Sequence, residues 1–190
     1  MFQTLLEKLA LALEKRSIDY MVIGGQALLL YGEPRLTKDI DVTLGAGNDQ
    51  LAQIVELAKS LEWKSLVDSP AEFVKQTMVF PCIDPASGIR IDFIFSFSLY
   101  EKQAIERARK IVIGKAQVRF ASVEDLIIHK IIAGRPRDLE DVKTVVLKNS
   151  NINIDANYIR HWLKQFEQAL SHPFAERFET IWKGKSSYSS

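Results

Sequence analysis

The sequence predicts an α/β fold, with a short mixed sheet flanked by helices and a bundle of helices in its C-terminal part. Apolar runs of strand length alternate with segments of helical periodicity up to residue 120. From residue 122 onward only helical patterns occur. The 190 residues are 47% hydrophobic, which is enough to bury the core of one domain with a small helical addition.

The elements of the first part follow from the spacing of apolar residues and from the glycines and prolines that interrupt them. Gly32 and Pro34 are expected to end the second helix. The predicted elements are, in order, a helix over 2–16, a strand over Tyr20–Ile23, a helix over 27–31, a strand over 40–44, a helix over 49–61 capped by Asn48, a strand over 73–80, a strand over Ile89–Phe95, a helix over 99–109 and a hairpin of 111–113 with 118–120.

The second part is predicted to be helical throughout. Ser122 is expected to cap a helix over 123–133, with Asp125 three residues later in the place of the usual capping-box glutamate. Pro136 fits the first turn of the next helix. Two more helices are expected near 155–169 and 173–182. We therefore predict a domain over 1–120, a helical C-terminal subdomain over 121–183 and a flexible polar tail over 184–190.

Composition excludes several classes of protein. The net charge of +1 argues against a general nucleic-acid binder, although a local basic patch is compatible with it. Cys82 is the single cysteine, so neither an internal disulfide nor a multi-cysteine zinc site can form. The N-terminal segment is amphipathic and contains acids, which is not typical of a signal peptide, and no apolar run is long enough to span a bilayer. A cytoplasmic protein without a membrane partner is expected.

Three carboxylates in two predicted strands form the candidate metal site. Asp39 and Asp41 are one residue apart in a strand and therefore share a face. Asp92 lies in the middle of the apolar strand Ile89–Phe95, where an unpaired carboxylate is costly. If the two strands are neighbours, the three acids can bind one or two Mg²⁺, the arrangement used for phosphoryl displacement. Alternatively, Asp92 is an ion-pair partner of Arg90 or Arg119.

A glycine pair precedes these acids. Gly24 and Gly25 stand between a predicted strand and a predicted helix, where small residues let backbone N–H groups and a helix N-terminus approach a phosphate. Gln26 follows at the helix start and is a candidate contact to the same phosphate. The combination of glycine pair, Asp39-x-Asp41 and Asp92 is far more specific than the glycines alone.

The pattern GG-x13-DID together with IRIDFIF resembles the catalytic motif of the nucleotidyltransferase superfamily, which includes DNA polymerase beta and kanamycin nucleotidyltransferase. The resemblance covers residues 22–95. It implies the nucleotidyltransferase fold and the Mg²⁺-dependent transfer of a nucleoside monophosphate from an NTP such as ATP. The implied residues are Gly24 and Gly25 for the glycine pair, Asp39 and Asp41 for the paired metal acids, and Asp92 for the third acid. Many members have serine as the second small residue, where this chain has glycine.

The segment VEDLIIHKIIAGRPRDLEDV resembles the AbiEii-type and related minimal nucleotidyltransferases. This resemblance implies that Lys130, with Arg135 or Arg137, neutralises phosphate charge, and that Asp138 or Asp141 orients the lysine. Two other interpretations remain open. Lys130 is a surface lysine beside an apolar helix face, or the arginines and acids form an ion-pair network between two helices.

The acceptor is not determined by the sequence. Resemblance to the toxin-like families permits a toxin that modifies tRNA or a protein and has an antitoxin partner, and a small-molecule acceptor is also compatible. Basic residues that would face an RNA are Arg107, Arg109, Lys110, Lys115 and Arg119, and Arg35 is a candidate triphosphate contact in the loop before the acids. The alternative is a catalytically quiet module that keeps the fold and binds a nucleotide or a partner.

Overall fold

The structure is a computed structural model that describes residues 1–33, 37–96, 98–149 and 154–184. Over these residues the chain forms two compact units. The first unit comprises Met1–Gln26 and Leu36–Ala121, and the second comprises Ala27–Arg35 and Ser122–Ser190. Residues from Ala27 onward in the second helix group with the C-terminal helices.

A mixed sheet is the core of the first unit. Its strands are β1 Tyr20–Ile23, β2 Asp39–Leu44, β3 Lys64–Ser65, β4 Val79–Asp84, β5 Ile89–Phe95, β6 Arg109–Ile113 and β7 Ala116–Phe120. Within the described residues the strand order is β3-β4-β5-β2-β1-β7-β6. Strand β2 pairs parallel with β5 and antiparallel with β1, so the two acid-bearing strands are neighbours in the sheet and β2 lies between β5 and β1.

The central strands alternate between core residues and site residues, except that Thr43 of β2, on the face of the acids, is also buried. In β2 the side chains of Ile40, Val42 and Leu44 are fully buried, whereas Asp39 and Asp41 on the other face are partly exposed. Strand β5 shows the same alternation, with its odd-numbered residues buried. Because successive side chains in a strand point to opposite faces, packing of the apolar face fixes the acids on the other face.

Helices complete the first unit. The helices that begin before residue 122 are α1 Phe2–Glu14, α2 Gly24–Tyr31, α3 Leu51–Ser60, α4 Pro70–Thr77 and α5 Leu99–Glu106. Helix α1 buries Leu5, Leu6, Leu9 and Leu13 and packs on β7, as its apolar spacing predicts. A short 3-10 helix over Asn48–Gln50 precedes α3, so Asn48 begins a helical turn and is not the cap that the sequence suggested.

The predicted strand over 73–80 is wrong. Residues 70–77 form α4, which starts with Pro70 at its first turn and ends where Met78 adopts a left-handed conformation with φ of 58°. The strand β4 begins only at Val79 and pairs antiparallel with β5. The short apolar run fitted either type of element, and only the pairing with β5 determines which residues are extended.

The second unit is helical. Its long helices are α6 Val123–Ala133, α7 Pro136–Lys148, α8 Ala156–Leu170 and α9 Phe174–Gly184, close to the predicted bounds. Ser122 caps α6, since its hydroxyl accepts a hydrogen bond from the backbone N–H of Asp125. The side chain of Asn149 donates to the backbone carbonyl of Tyr31 at 2.7 Å, which ties the end of α7 to α2 within this unit. Of the predicted flexible tail over 184–190, Gly184 is the last residue of α9, and 185–190 lie outside the described residues.

Whether a helix could span a membrane depends on its length and its hydropathy. In the part of the chain that the structure describes, every helix is too short or too polar to cross a bilayer.

Candidate active site

Strand pairing brings the predicted acids of the first unit together. In the parallel pair of β2 and β5, Asp41 is the register partner of Asp92, and Asp39 is the partner of Arg90. On the other side of β2, Asp41 pairs with Ile23, the last residue of β1. Neighbouring strands lie about 4.8 Å apart, so the three acids occupy one small area of one sheet face. The strand adjacency assumed from the sequence is therefore correct.

The glycine pair lies directly against this area. Gly24 has a φ of +63°, and a Cβ atom at this position would stand 2.1 Å from Oδ2 of Asp41. A Cβ atom at Gly25 would stand 2.5 Å from Oγ1 of Thr37. Real Cβ atoms do not approach oxygen so closely, and only glycine adopts such a φ freely. The first turn of α2, which follows β1 directly, thus needs both glycines in order to pass beside Asp41 and Thr37.

The start of α2 offers hydrogen-bond donors at the same place. The first N–H groups of a helix have no partner inside the helix, and the helix dipole favours anions there. Gln26 is only 4% exposed, and its amide Nε2 has no hydrogen-bond partner among the described residues. A buried donor without a partner is costly unless a ligand satisfies it. Gly24, Gly25 and Gln26 therefore form a set of donors suited to a phosphate.

Asp39 is held by the side chain of Thr37, which lies in the loop before β2. The hydroxyl of Thr37 donates a hydrogen bond to Oδ1 of Asp39 at 2.9 Å. Thr37 is the same residue that faces Gly25. The spacing of two residues between a threonine and an aspartate was the only signal for this contact, and such spacing is common in loops.

Asp92 is paired with Arg90, one of the two alternatives that the sequence left open. The Nε atom of Arg90 donates to Oδ1 of Asp92 at 2.7 Å, and the side chains are 50% and 16% exposed. The hydrogen bond to Asp92 raises the pKa of Arg90 above its ordinary value, and the charges of Asp39 and Asp41 add to this. Arg119, the other alternative, pairs with Asp19 instead.

The acids fit a divalent cation in chemistry and strand register. Carboxylate oxygens are the ligands that Mg²⁺ prefers. The side chains do not converge as a finished ligand set, since within the described residues no three His, Cys, Asp or Glu side chains are grouped to hold a metal ion. In this arrangement one oxygen of Asp39 accepts from Thr37 and one oxygen of Asp92 accepts from Arg90.

In the second unit, Lys130 lies in a buried network of charges. Its Nζ atom is 3.2 Å from Oδ1 of Asp138 and 2.6 Å from Oδ2 of Asp141, and Arg135 pairs with Asp138 from the solvent side. Lys130 is 5% exposed, so the interpretation as a surface lysine is wrong. Burial raises the pKa of Asp138, but the hydrogen bond from Arg135 and the charge of Lys130 outweigh it, and the net pKa is lowered.

This network agrees with two of the predicted roles. Asp138 and Asp141 both orient Lys130, and their ion pairs with this lysine join α6 to α7, while Arg135 extends the network at the start of α7. Contact of Lys130 or Arg135 with a phosphate stays a prediction.

A mixed sheet that carries paired acids next to a glycine turn and a helix N-terminus is the arrangement of a nucleotidyltransferase. Residues 1–184 match the family described as "Nucleotidyltransferase of unknown function (DUF6036)". The chain belongs to this family. The superfamily inferred from the sequence is therefore confirmed, and the protein is an enzyme of the nucleotidyltransferase class. The closer likeness to AbiEii-type members stays a prediction.

Solved structures agree with the fold. The solution structure of the antibiotic-resistance factor ANT(2'')-Ia matches with a TM-score of 0.61 and 17% identity over 90% of this chain and 95% of that chain. A crystal structure of the same factor in complex with adenylyl-2''-tobramycin matches with a TM-score of 0.58 and 17% identity, over 88% and 97%. An antigenic nucleotidyltransferase-like protein from Paracoccidioides brasiliensis matches with 0.56 and 18% identity, over 96% and 92%. No curated protein sequence matches significantly.

Proposed function

We propose that this chain transfers a nucleoside monophosphate from an NTP to an acceptor hydroxyl with the help of Mg²⁺. Two facts together carry the proposal. Asp41 is the register partner of Asp92, and it lies so close to Gly24 that there is no room for a side chain at residue 24. A structural acid of an edge strand would need neither the glycine nor a second acid on the neighbouring strand. The arrangement suits a reaction in which a triphosphate must approach carboxylates closely.

The proposed reaction is an in-line displacement at the α-phosphorus of the NTP. The acceptor oxygen forms a new P–O bond, the bond between the α-phosphorus and the bridging oxygen breaks, and pyrophosphate leaves with its electron pair. Bound Mg²⁺ would supply positive charge that stabilises the attacking and leaving oxygens. Asp39, Asp41 and Asp92 would hold it. Asp92 is also the candidate to accept the proton of the acceptor hydroxyl.

The triphosphate is proposed to bind at the start of α2. The backbone N–H groups of Gly24 and Gly25 and the amide of Gln26 would donate to its oxygens. The unpartnered Nε2 of Gln26 supports this, because a phosphate oxygen would satisfy it. For Lys130 and Arg135 the family resemblance supports neutralisation of phosphate charge. The lysine would act as a point charge that Asp138 and Asp141 hold in place.

The experiment below tests two classes of acceptor. ANT(2'')-Ia, one of the similar structures, has been solved with adenylyl-2''-tobramycin, an adenylylated small molecule. This supports ATP as donor and a small-molecule hydroxyl as one acceptor class. The resemblance of residues 123–142 to AbiEii-type proteins supports tRNA or a protein as the other, in a toxin with an antitoxin partner. We propose no preference between them.

The test is incubation of the purified chain with each α-labelled NTP, Mg²⁺, and panels of total tRNA, protein and aminoglycosides. Asp41→Asn is expected to reduce labelling by at least about 100-fold, because it removes the charge of a central carboxylate. Asp68→Asn is the matched control, since this exposed acid lies in the same unit outside the site. Full labelling by the Asp41→Asn variant would contradict the proposal.

A catalytically quiet module gives a different result. In that case the wild-type chain would bind a labelled NTP in a Mg²⁺-dependent way and release it unchanged with every acceptor, including water. Retention of all three acids beside the glycine pair favours turnover.

A further inference from the structure

We infer that Arg90 competes with the divalent cation for Asp92, so that the third acid becomes a metal ligand only after the guanidinium moves away. The inference rests on the proposed function, because it concerns the same metal. It assigns Arg90 a role as a positioning residue that acts through Asp92.

Arg90 is in direct contact with Asp92. Arg90 donates through Nε to Oδ1 of Asp92 at 2.7 Å, a short charge-assisted hydrogen bond. The guanidinium places its positive charge on the side of the carboxylate oxygen from which a cation would approach. Arg90 and a divalent ion close to Oδ1 would repel each other, and they would use the same lone pairs.

The geometry of β2 and β5 places Arg90 next to the acids. Arg90 and Asp92 are two residues apart in β5 and therefore share the face that carries the site. Arg90 is also the register partner of Asp39 in β2. The arginine thus stands beside both the first and the third acid, where any cation shared between them would have to bind.

The side chain of Arg90 can move away from Asp92 without disturbing the fold. Its side chain is 50% exposed, whereas that of Asp92 is 16% exposed. The two neighbours of Arg90 in β5, Ile89 and Ile91, are buried and hold the strand in place. Rotation of an exposed arginine side chain leaves this packing intact, so exchange of Arg90 for a metal needs only side-chain motion.

The test is a titration of the chain with Mn²⁺ in the absence of nucleotide. Binding is measured from the electron paramagnetic resonance signal of the Mn²⁺ that remains free. Arg90→Gln is expected to bind Mn²⁺ about two- to fivefold more tightly than wild type, as expected from the strength of partly exposed ion pairs. Removal of any positive charge near the acids also favours a cation. Lys38→Gln is therefore the matched control, because exposed Lys38 precedes Asp39 and makes no contact with Asp92 among the described hydrogen bonds and ion pairs.

The outcomes separate the inference from the proposed function. A gain for Arg90→Gln that exceeds the gain for Lys38→Gln, and that disappears in an Asp92→Asn background, supports the inference. An equal gain in the two variants, or a gain that persists without Asp92, overturns it. If wild type and Arg90→Gln bind Mn²⁺ equally and Asp41→Asn abolishes that binding, the inference fails while the proposed metal site stands. Mn²⁺ binding that is indifferent to Asp41 and to Arg90 overturns both.

Discussion

At the scale of single residues, the candidate site depends on two positions, Gly24 and Gly25, where the residue has no Cβ atom. Asp41 can lie against the turn after β1 only because Gly24 has no Cβ atom, and Thr37 has the same relation to Gly25. Thr37 in turn donates to Asp39. The glycine pair therefore sets the positions of both paired acids, in addition to the phosphate role that the sequence suggested.

Gly24→Ala is expected to abolish nucleotidyl transfer. The new Cβ atom would stand 2.1 Å from Oδ2 of Asp41 and would therefore displace this carboxylate. It should also destabilise the chain by about 1 kcal/mol through strain at positive φ. Gly88→Ala is the matched control: Gly88 has a φ of +71° but no atom within 4 Å of the added Cβ. Similar losses in the free energy of unfolding, with transfer lost only in the Gly24 variant, are the expected result. Normal transfer by Gly24→Ala would contradict the close-approach argument.

At the scale of elements, the sequence predicted what local patterns determine. The strand β1 and the helix α6 have the predicted bounds, because continuous apolar character and a capping serine specify them locally. The error over 73–80 arose where a short run, whose helical part buries only Val74, fitted either a helix or a strand. The pairing of Arg90 with Asp92 was foreseen only as one of two options, since the alternative partner Arg119 is engaged by a residue distant in sequence.

The contact between α6 and α7 gives a prediction about pH. The pKa of Asp138 is lowered in the folded chain, so the stabilisation from its ion pairs is present above the unfolded pKa of about 4 and is lost as pH falls through the lower folded value. Asp138→Asn should therefore lower the melting temperature strongly at pH 7 and progressively less below about pH 4. Thermal unfolding from pH 2.5 to 7 measures this, with Asp68→Asn as control. A difference from wild type that is independent of pH would refute the assignment.

At the scale of the whole molecule, the single cysteine reports on the sheet. Cys82 lies in β4, paired with Ile91 of β5, and is fully buried. Burial raises the pKa of its thiol to about 12, with a contribution from Asp92. Deep burial and a suppressed thiolate together predict an unreactive group in the folded chain.

The native protein should therefore react with an aromatic disulfide reagent at pH 8 many times more slowly than the urea-unfolded chain, which has an ordinary thiol. The reaction then follows opening of the sheet. Addition of Mg²⁺ and a non-hydrolysable NTP should slow it further, because a ligand that binds only the folded state stabilises it by about 2.7 kcal/mol at a hundredfold excess over Kd. Fast labelling of the native chain would show that the β4–β5 pair opens easily.

The alternation of β2 and β5 has a consequence for insertions and deletions. Each of these strands carries acids on one face and core residues on the other, and the two strands align Asp41 with Asp92 residue by residue. Deletion of one residue within either strand would turn its acids toward the core and its apolar residues toward the site. A shift of register in either strand would therefore remove stability and catalytic chemistry in one step. The turn at 85–88, between β4 and β5, lies outside this alignment and should tolerate changes in length.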